Sequence, residues 1–400
     1  CYAELASSVP TAGSAYTYAF ATLGELFAWI IGWDLLLEFG LGLAVVSRSW
    51  SSYLANLFGL PQVLFGETAP VNIGAVLIIA VLTVVAVIGI RESARLTNIL
   101  VVIKLAVCVL IIGVGVFFIN AANLTPFVPP AVPVPEGGSV LEQPVVEGVF
   151  GLPATAYGIG GMLTAAAVVF FAYTGFEALA NLGEETRRPE RDMKVGLLGA
   201  LGVCAVLYVL VSFVLTGMVH YDQIDSGAPL AGAFNSVGLP WVGALISLGA
   251  VTGLTSVMMV ELVTIGRIGF AMGRDGLLPA PIGTAHPRFG TPHRMTIIGA
   301  VVIAAIAATT PISELADMVS IGALSAMIIV AIAVPVLRRT RPELERPFRV
   351  PLSPVVPVLA ALACFYLMLN LDLLSWVRFA VWLVIGLVVA FGLPWWIYPP

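Results

Sequence analysis

Thr97-Asn98-Ile99-Leu100-Val101-Val102-Ile103-Lys104-Leu105-Ala106-Val107-Cys108-Val109-Leu110-Ile111-Ile112-Gly113-Val114-Gly115-Val116-Phe117-Phe118-Ile119 contains a single charged side chain, Lys104. A helix needs about 20 mostly apolar residues to cross the hydrocarbon of a bilayer, and this stretch supplies them. The rest of the chain is built alike. Of 400 residues, 60% are in the AVILMFWYC set and 10% are charged, against roughly 25% charged in soluble domains. With a mean hydropathy of +1.03, too little polar surface remains to cover a water-facing globule. The 40 Gly and 27 Pro suit membrane helices, where both are commoner than in soluble ones. A net charge of −5 carries no footprint of nucleic acid. The chain opens on Cys1 without a charged leader, and so reads as a fragment whose N-terminus is missing. Cys108, Cys204 and Cys364 sit in apolar runs, so neither a disulfide framework nor a metal site is expected. His220, His286 and His293 fall in predicted loops.

Ten stretches meet the length requirement: 24–46, 72–90, 97–119, 157–182, 195–219, 240–265, 295–310, 313–337, 354–371 and 376–396. They are too long and too continuous for a membrane barrel. Thr309-Thr310-Pro311 predicts a tight hairpin between the seventh and eighth. Most of the basic residues lie in alternate loops: Arg91 and Arg95; Arg187, Arg188, Arg191 and Lys194; Arg267, Arg274, Arg288 and Arg294; Arg338, Arg339, Arg341, Arg346 and Arg349. The opposite side has only Arg48 and Arg378. Basic loops stay in the cytoplasm, so both chain ends are expected there, in a multi-pass plasma-membrane protein. Loop 120–156, with Thr125-Pro126-Phe127-Val128-Pro129-Pro130 and no basic residue, reads as an extended, lid-like outer loop with a structural task. No phosphate-binding loop or catalytic triad is present, so the chain reads as a gradient-driven carrier without cofactor, not an enzyme.

Ionisable groups at bilayer depth are costly, which makes each a functional candidate. Lys104 lies about two turns, or roughly 10 Å, into its span. It could snorkel to the interface, or remain as a buried ammonium that loads and releases a proton. Asp34 and Glu38 lie four apart, hence on one helix face, with Glu38 deeper. Glu38 could meet a substrate ammonium, or be protonated and bonded to a neighbouring helix. Glu177 follows Phe170-Phe171-Ala172-Tyr173-Thr174-Gly175-Phe176, and Gly158, Gly160, Gly161 and Gly175 weaken its span. A break there would free backbone N–H and C=O groups that must line a cavity, an arrangement suited to a small zwitterion. The alternative is close helix packing on small residues. Glu261 is expected to pair with Arg267 or a neighbouring helix. Thr252, Thr255 and Ser256 could bond an ion, Lys104, or their own helix.

The run FFAYTGFEALANLGEETRRPERD from Phe170 to Asp192 resembles the sixth helix and following loop of permeases of the amino acid–polyamine–organocation superfamily, cationic amino acid transporter branch. CYAELASSVPTAGSAYTYAFATLGE at Cys1, GWDLLLEFG at Gly32, GIRESARLTNILVVIKLAV at Gly89, AMGRDGLLP at Ala271 and LRRTRPELERPFRVP at Leu337 agree in order and spacing. The resemblance implies an all-α transporter of twelve helices, ten of them in two inverted five-helix repeats, with the first and sixth broken at the substrate. The ten spans become helices three to twelve of one domain. Residues 1–23 would be the end of helix two and a cytoplasmic loop, 24–337 the core repeats, and 354–396 the peripheral helices. It further implies a substrate amine held by carbonyls around Phe171, Ala172 and Thr174 beside Gly175, with Phe171 as gate. Glu177 and Glu38 would border the side-chain pocket. Lys104 would be the proton-coupling residue, with Thr255 and Ser256 as its possible partners. The segment Val260-Glu261-Leu262-Val263-Thr264-Ile265-Gly266-Arg267 departs from the family's Gly-Gln-Ser/Thr-Arg ending. The expected function is proton-coupled transport of an L-amino acid by alternating access. A polyamine carrier or exchanger, and a sensor or channel built on the same bundle, are the rival readings.

Overall fold

The computed structural model describes residues 1–8, 14–22, 24–89, 94–133, 139–149, 151, 155–179, 186, 188–224 and 227–392. Arg91, Arg187, positions 181–185 of the quoted motif and the last four residues of the tenth predicted span lie outside them. Two short helices, α1 (Tyr2–Ser8) and α2 (Ser14–Thr22), precede a long one, α3 (Glu25–Phe58). After α4 (Gln62–Phe65) come α5 (Ile73–Ile88) and α6 (Ala94–Gly115). The loop beyond α6 carries strand β1 (Val132–Pro133), helix α7 (Val145–Gly148) and strand β2 (Thr155–Ala156), the two strands pairing antiparallel. Helices α8 (Gly158–Val169), α9 (Pro189–Met218), α10 (Pro229–Ser236), α11 (Pro240–Arg274), α12 (His293–Thr309), α13 (Ile312–Thr340), α14 (Val355–Leu369) and α15 (Leu373–Gly392) complete the order.

Among the described residues, seven helical stretches are long and apolar enough to cross a membrane: Glu25–Phe58, Ile99–Phe118, Gly158–Leu179, Pro189–Met218, Pro240–Arg274, Ile312–Thr340 and Leu373–Gly392. Helices α5, α12 and α14 are shorter apolar helices at the remaining predicted positions. Two helices overrun the apolar window expected of them. α3 continues beyond residue 46 to Phe58, and α11 beyond 265 to Arg274. In α3 the extra turns contain serines and Arg48, and the Ser51 hydroxyl bonds the Phe65 carbonyl at 2.8 Å. The helix ends where Gly59 adopts φ 64°, its N–H closing on the Ala55 carbonyl. Helix α5 begins at Asn72, whose side chain accepts the Ala75 N–H at 2.9 Å.

Helix α3 is the buried axis, packed by α11, α13, α12 and α5. Its glycines allow the close approach. Met272 of α11 sits over Gly32, and Ile303 of α12 sits over Gly40.

The loops sort to two faces. On one, Tyr16 bonds Asp275, Thr291 bonds the Val87 carbonyl, and Lys194 bonds the Pro347 carbonyl. Glu4 of α1 joins them. Arg338 grips it through two hydrogen bonds at 2.8 and 2.7 Å, and the Val350 N–H donates at 2.6 Å. On the other face Asn120 and Asn123 bond the Gly217 carbonyl, and Val145 and Leu373 bond across residues 143–145 and 371–373. Of the predicted basic residues, Lys194 and Arg338 make their contacts on the first of these faces. His293, expected in a loop, opens α12 instead.

Candidate functional site

The helix that begins as α8 does not run through. It tightens into a 3-10 turn at Phe170–Tyr173 and stops, with Thr174 extended at φ −68°, ψ 154°. Gly175 takes φ +100°, a conformation that L side chains rarely adopt. A second turn resumes over residues 176–179. The other three glycines named in the sequence do not share in the break. Gly158, Gly160 and Gly161 lie in the first turn of α8, where β1 and β2 approach closely: a methyl on Gly158 would meet Ala131 at 2.8 Å.

At the break the main chain is partly satisfied locally. Thr174 returns both its N–H (3.0 Å) and its hydroxyl (2.8 Å) to the Phe171 carbonyl. The Gly175 N–H donates to a carboxylate oxygen of Glu177 at 2.7 Å. The Ala172 carbonyl accepts from Tyr208 of α9 at 2.8 Å. A carbonyl has two lone pairs, so the Ala172 carbonyl can accept one more donor, whereas Thr174 already fills both on Phe171. Tyr208 is a site residue that sequence reasoning missed; its only signal was a phenol in an apolar run.

Beside the break stand the buried acids. Asp34 and Glu38 lie on one side of α3 but face different groups. Asp34, 1% exposed, accepts from the Ser325 hydroxyl of α13 at 2.5 Å. Glu38, 3% exposed, faces Glu177, carboxyl to carboxyl. No donor group of the protein bonds either oxygen of Glu38. Two facing carboxylates are acceptors only, so the pair needs a shared proton or a neighbouring cation. Glu261 turns towards a neighbouring helix, α3, the second of the two expected alternatives: its Oε1 lies over Gly42.

Lys104 reaches α11. Its ammonium donates to the Ser256 hydroxyl of α11 at 2.6 Å, and its stem lies across Gly253, where a methyl would meet Cε at 3.3 Å. Ser256 passes its own proton to the Gly253 carbonyl at 2.9 Å. Thr255 points elsewhere, bonding the Val251 carbonyl and accepting from Trp50. Thr252 bonds back to its own helix.

A cavity of about 830 Å³ lies between loop 120–156 and α8, running from Phe127 and Glu147 to Val168, one turn before Phe171. Burial raises the Glu147 carboxyl above its ordinary range. The loop thus forms one wall of this cavity and the start of α8 the other. Among the described residues, no group of His, Cys, Asp and Glu has the geometry of a metal site.

A broken helix, facing carboxyls and a half-buried lysine agree with a family-wide match: residues 1–391 fit the amino acid permease family model. The chain belongs to the amino acid permease family. It is 39% identical to the methylthioribose transporter of Bacillus subtilis (strain 168) over 401 residues, 98% of this chain and 81% of that one. It is 40% identical to the branched-chain amino acid permease BcaP of the same strain over 403 residues, again 98% and 81%. A vacuolar cationic amino acid transporter 4 of Arabidopsis thaliana is 35% identical over 352 residues, 86% of this chain and 55% of that one. These relatives are carriers, and the permease is accordingly a multi-pass membrane protein and not an enzyme.

Proposed function

We propose that this permease moves an L-amino acid across the plasma membrane by alternating access, coupled to a proton that cycles on Lys104. One observation carries the reading: the span 158–179 comes apart at Thr174 and Gly175 beside buried carboxyls. The break offers the Ala172 carbonyl to a substrate ammonium, and the Phe171 carbonyl once Thr174 releases it, while N–H groups beyond Gly175 suit a carboxylate. Phe171, half-buried above the break, is the gate. Glu38 and Glu177 border the side-chain pocket. Two of the relatives are named for amino acids, branched-chain in one and cationic in the other, and these names support an amino-acid substrate here.

The protonated lysine holds α11 through a charge-assisted bond to Ser256. Loss of the proton weakens that bond and biases the bundle between outward- and inward-facing states. In this reading the spans are helices three to twelve of a five-plus-five inverted repeat, with the basic loops and both chain ends in the cytoplasm. Uptake of labelled amino acid into proteoliposomes under an imposed pH gradient tests the coupling. Lys104→Ala is expected to abolish gradient-driven accumulation while substrate binding persists; full accumulation by that variant would refute it. Putrescine competing as well as an amino acid would instead favour the polyamine alternative, and single-channel currents would favour a channel.

A further inference from the structure

The fold contains a second cavity, of about 320 Å³, the size of a small ligand pocket, and nothing in the transport cycle uses it. Helices α9 and α14 supply its sides with Leu197, Leu198, Leu201, Ala360 and Cys364, and α13 contributes Met327. Phe176, the first residue beyond the φ +100° hinge at Gly175, also lines it. None of the described lining residues carries a charge. Leu198 lines the cavity and is also 51% exposed. An exposed leucine on a membrane helix faces acyl chains, so the cavity opens sideways into the hydrocarbon.

Where the cavity reaches the face on which Glu4 meets Arg338, its border is basic. Arg349 stands between Phe348 and Val350, both of which line the cavity, and is exposed. Lys194 precedes Leu197, Leu198 and Leu201 on the same face of α9. Its ammonium donates to the Pro347 carbonyl at 3.3 Å, which brings it to the segment carrying Arg349. An ammonium has three donors, so two remain for an anion. Glu4 meets this corner through the Val350 N–H, but it is 3% exposed and held by Arg338. It leaves the charge of Lys194 and Arg349 uncancelled.

We infer that this cavity is a lipid site: one acyl chain of an anionic phospholipid lies between α9 and α14, with its phosphate at Lys194 and Arg349. The chain gains little hydrophobic energy on leaving the bilayer, because lipid tails are as apolar as leucine. Two other effects select it. The chain makes dispersion contacts with walls on several sides, and the paired basic groups attract an anionic headgroup at the membrane surface. A neutral phospholipid has only the first of these, and a free phosphate only the second. The site sets the lipid against Phe176, next to the hinge of the broken span.

The test reconstitutes the permease in phosphatidylcholine vesicles holding a trace of phosphatidylglycerol with a diazirine in its acyl chain. After irradiation, adducts are mapped by peptide mass spectrometry, with diazirine-bearing phosphatidylcholine as the comparison. Adducts on 197–201 and 360–364 are expected to form about tenfold more readily with the phosphatidylglycerol probe. On Val206 and Val209, exposed on α9 away from the cavity, the two probes are expected to react alike. Lys194→Gln combined with Arg349→Gln brings the two yields at the cavity together. Ala360→Phe fills the cavity and lowers both yields there, leaving those at Val206 and Val209 as the sign of an intact bundle. A wild type whose cavity adducts are no commoner than those at Val206 and Val209, or equal for the two probes, would overturn the inference, and this reading needs no variant. Loss of the preference on adding soluble glycerol phosphate would assign the basic pair to a free phosphate, and would overturn it too.

Discussion

Arg48 is the largest fully buried side chain, 1% exposed. Its guanidinium donates to the carbonyls of Ala307 (2.9 Å) and Ala308 (3.3 Å) at the end of α12, and to those of Glu67 (2.8 Å) and Ala69 (3.1 Å). A cation at a helix C-terminus is favoured by the helix dipole, and the planar fork serves two segments at once. In the sequence Arg48 was only a basic residue on the wrong side of the membrane. Its neighbours Ser47 and Trp50 gave no hint of a clamp, because the carbonyls it meets lie about 20 and 260 residues away. Arg48→Met is expected to cost about 3 kcal/mol, since several buried carbonyls lose a charged donor. The check is a lower melting temperature in detergent, with Arg48→Lys falling between.

At the scale of elements, α3 and α15 are joined by tryptophans. The Trp33 indole donates to the Trp382 carbonyl at 2.9 Å, and the Trp382 indole donates back to the Trp33 carbonyl at 3.1 Å. Their rings stack at 4.5 Å, and Trp29 bonds the Gly386 carbonyl at 2.9 Å. Gly386 is needed: a methyl there would lie 2.6 Å from the Trp33 indole nitrogen. Trp382→Leu removes a stack and a hydrogen bond, worth about 2 kcal/mol together. Faster amide exchange in α15, with the 158–179 segment unaffected, is the expected result. The broken helix is the element the sequence described best. Thr174 and Gly175 stood out there as weak helix formers, and the kink falls on them. Gly158, Gly160 and Gly161 carried the same signal for a different reason, close packing by the paired strands. Composition alone does not separate those two uses of glycine.

Across the whole molecule, the two loop sets gather on opposite faces, and Glu4, Arg338 and Val350 tie the start of the chain to the end of α13. The inside assignment of the basic face can be tested with single cysteines in a variant whose native cysteines are replaced. Arg288→Cys is expected to react with an impermeant thiol reagent only in inverted vesicles. Val128→Cys, 46% exposed in the opposite loop, is expected to react only in intact cells. The reverse pattern would sink the orientation.

From the amino acids alone came the membrane setting, the run of apolar helices and the weak point at Thr174–Gly175. Each is a local property: hydropathy, spacing and helix propensity act over one or two turns. Contacts between distant segments required the folded chain. Ser256 rather than Thr255 receives Lys104 because rotation of α11 about its axis is set by packing on α3. Tyr208 reaches Ala172, and Glu261 takes the neighbouring helix at Gly42 rather than Arg267, the choice the sequence left open, by the same cause. Which helix face meets which neighbour depends on side-chain volumes summed over the bundle, and no window of sequence contains that sum.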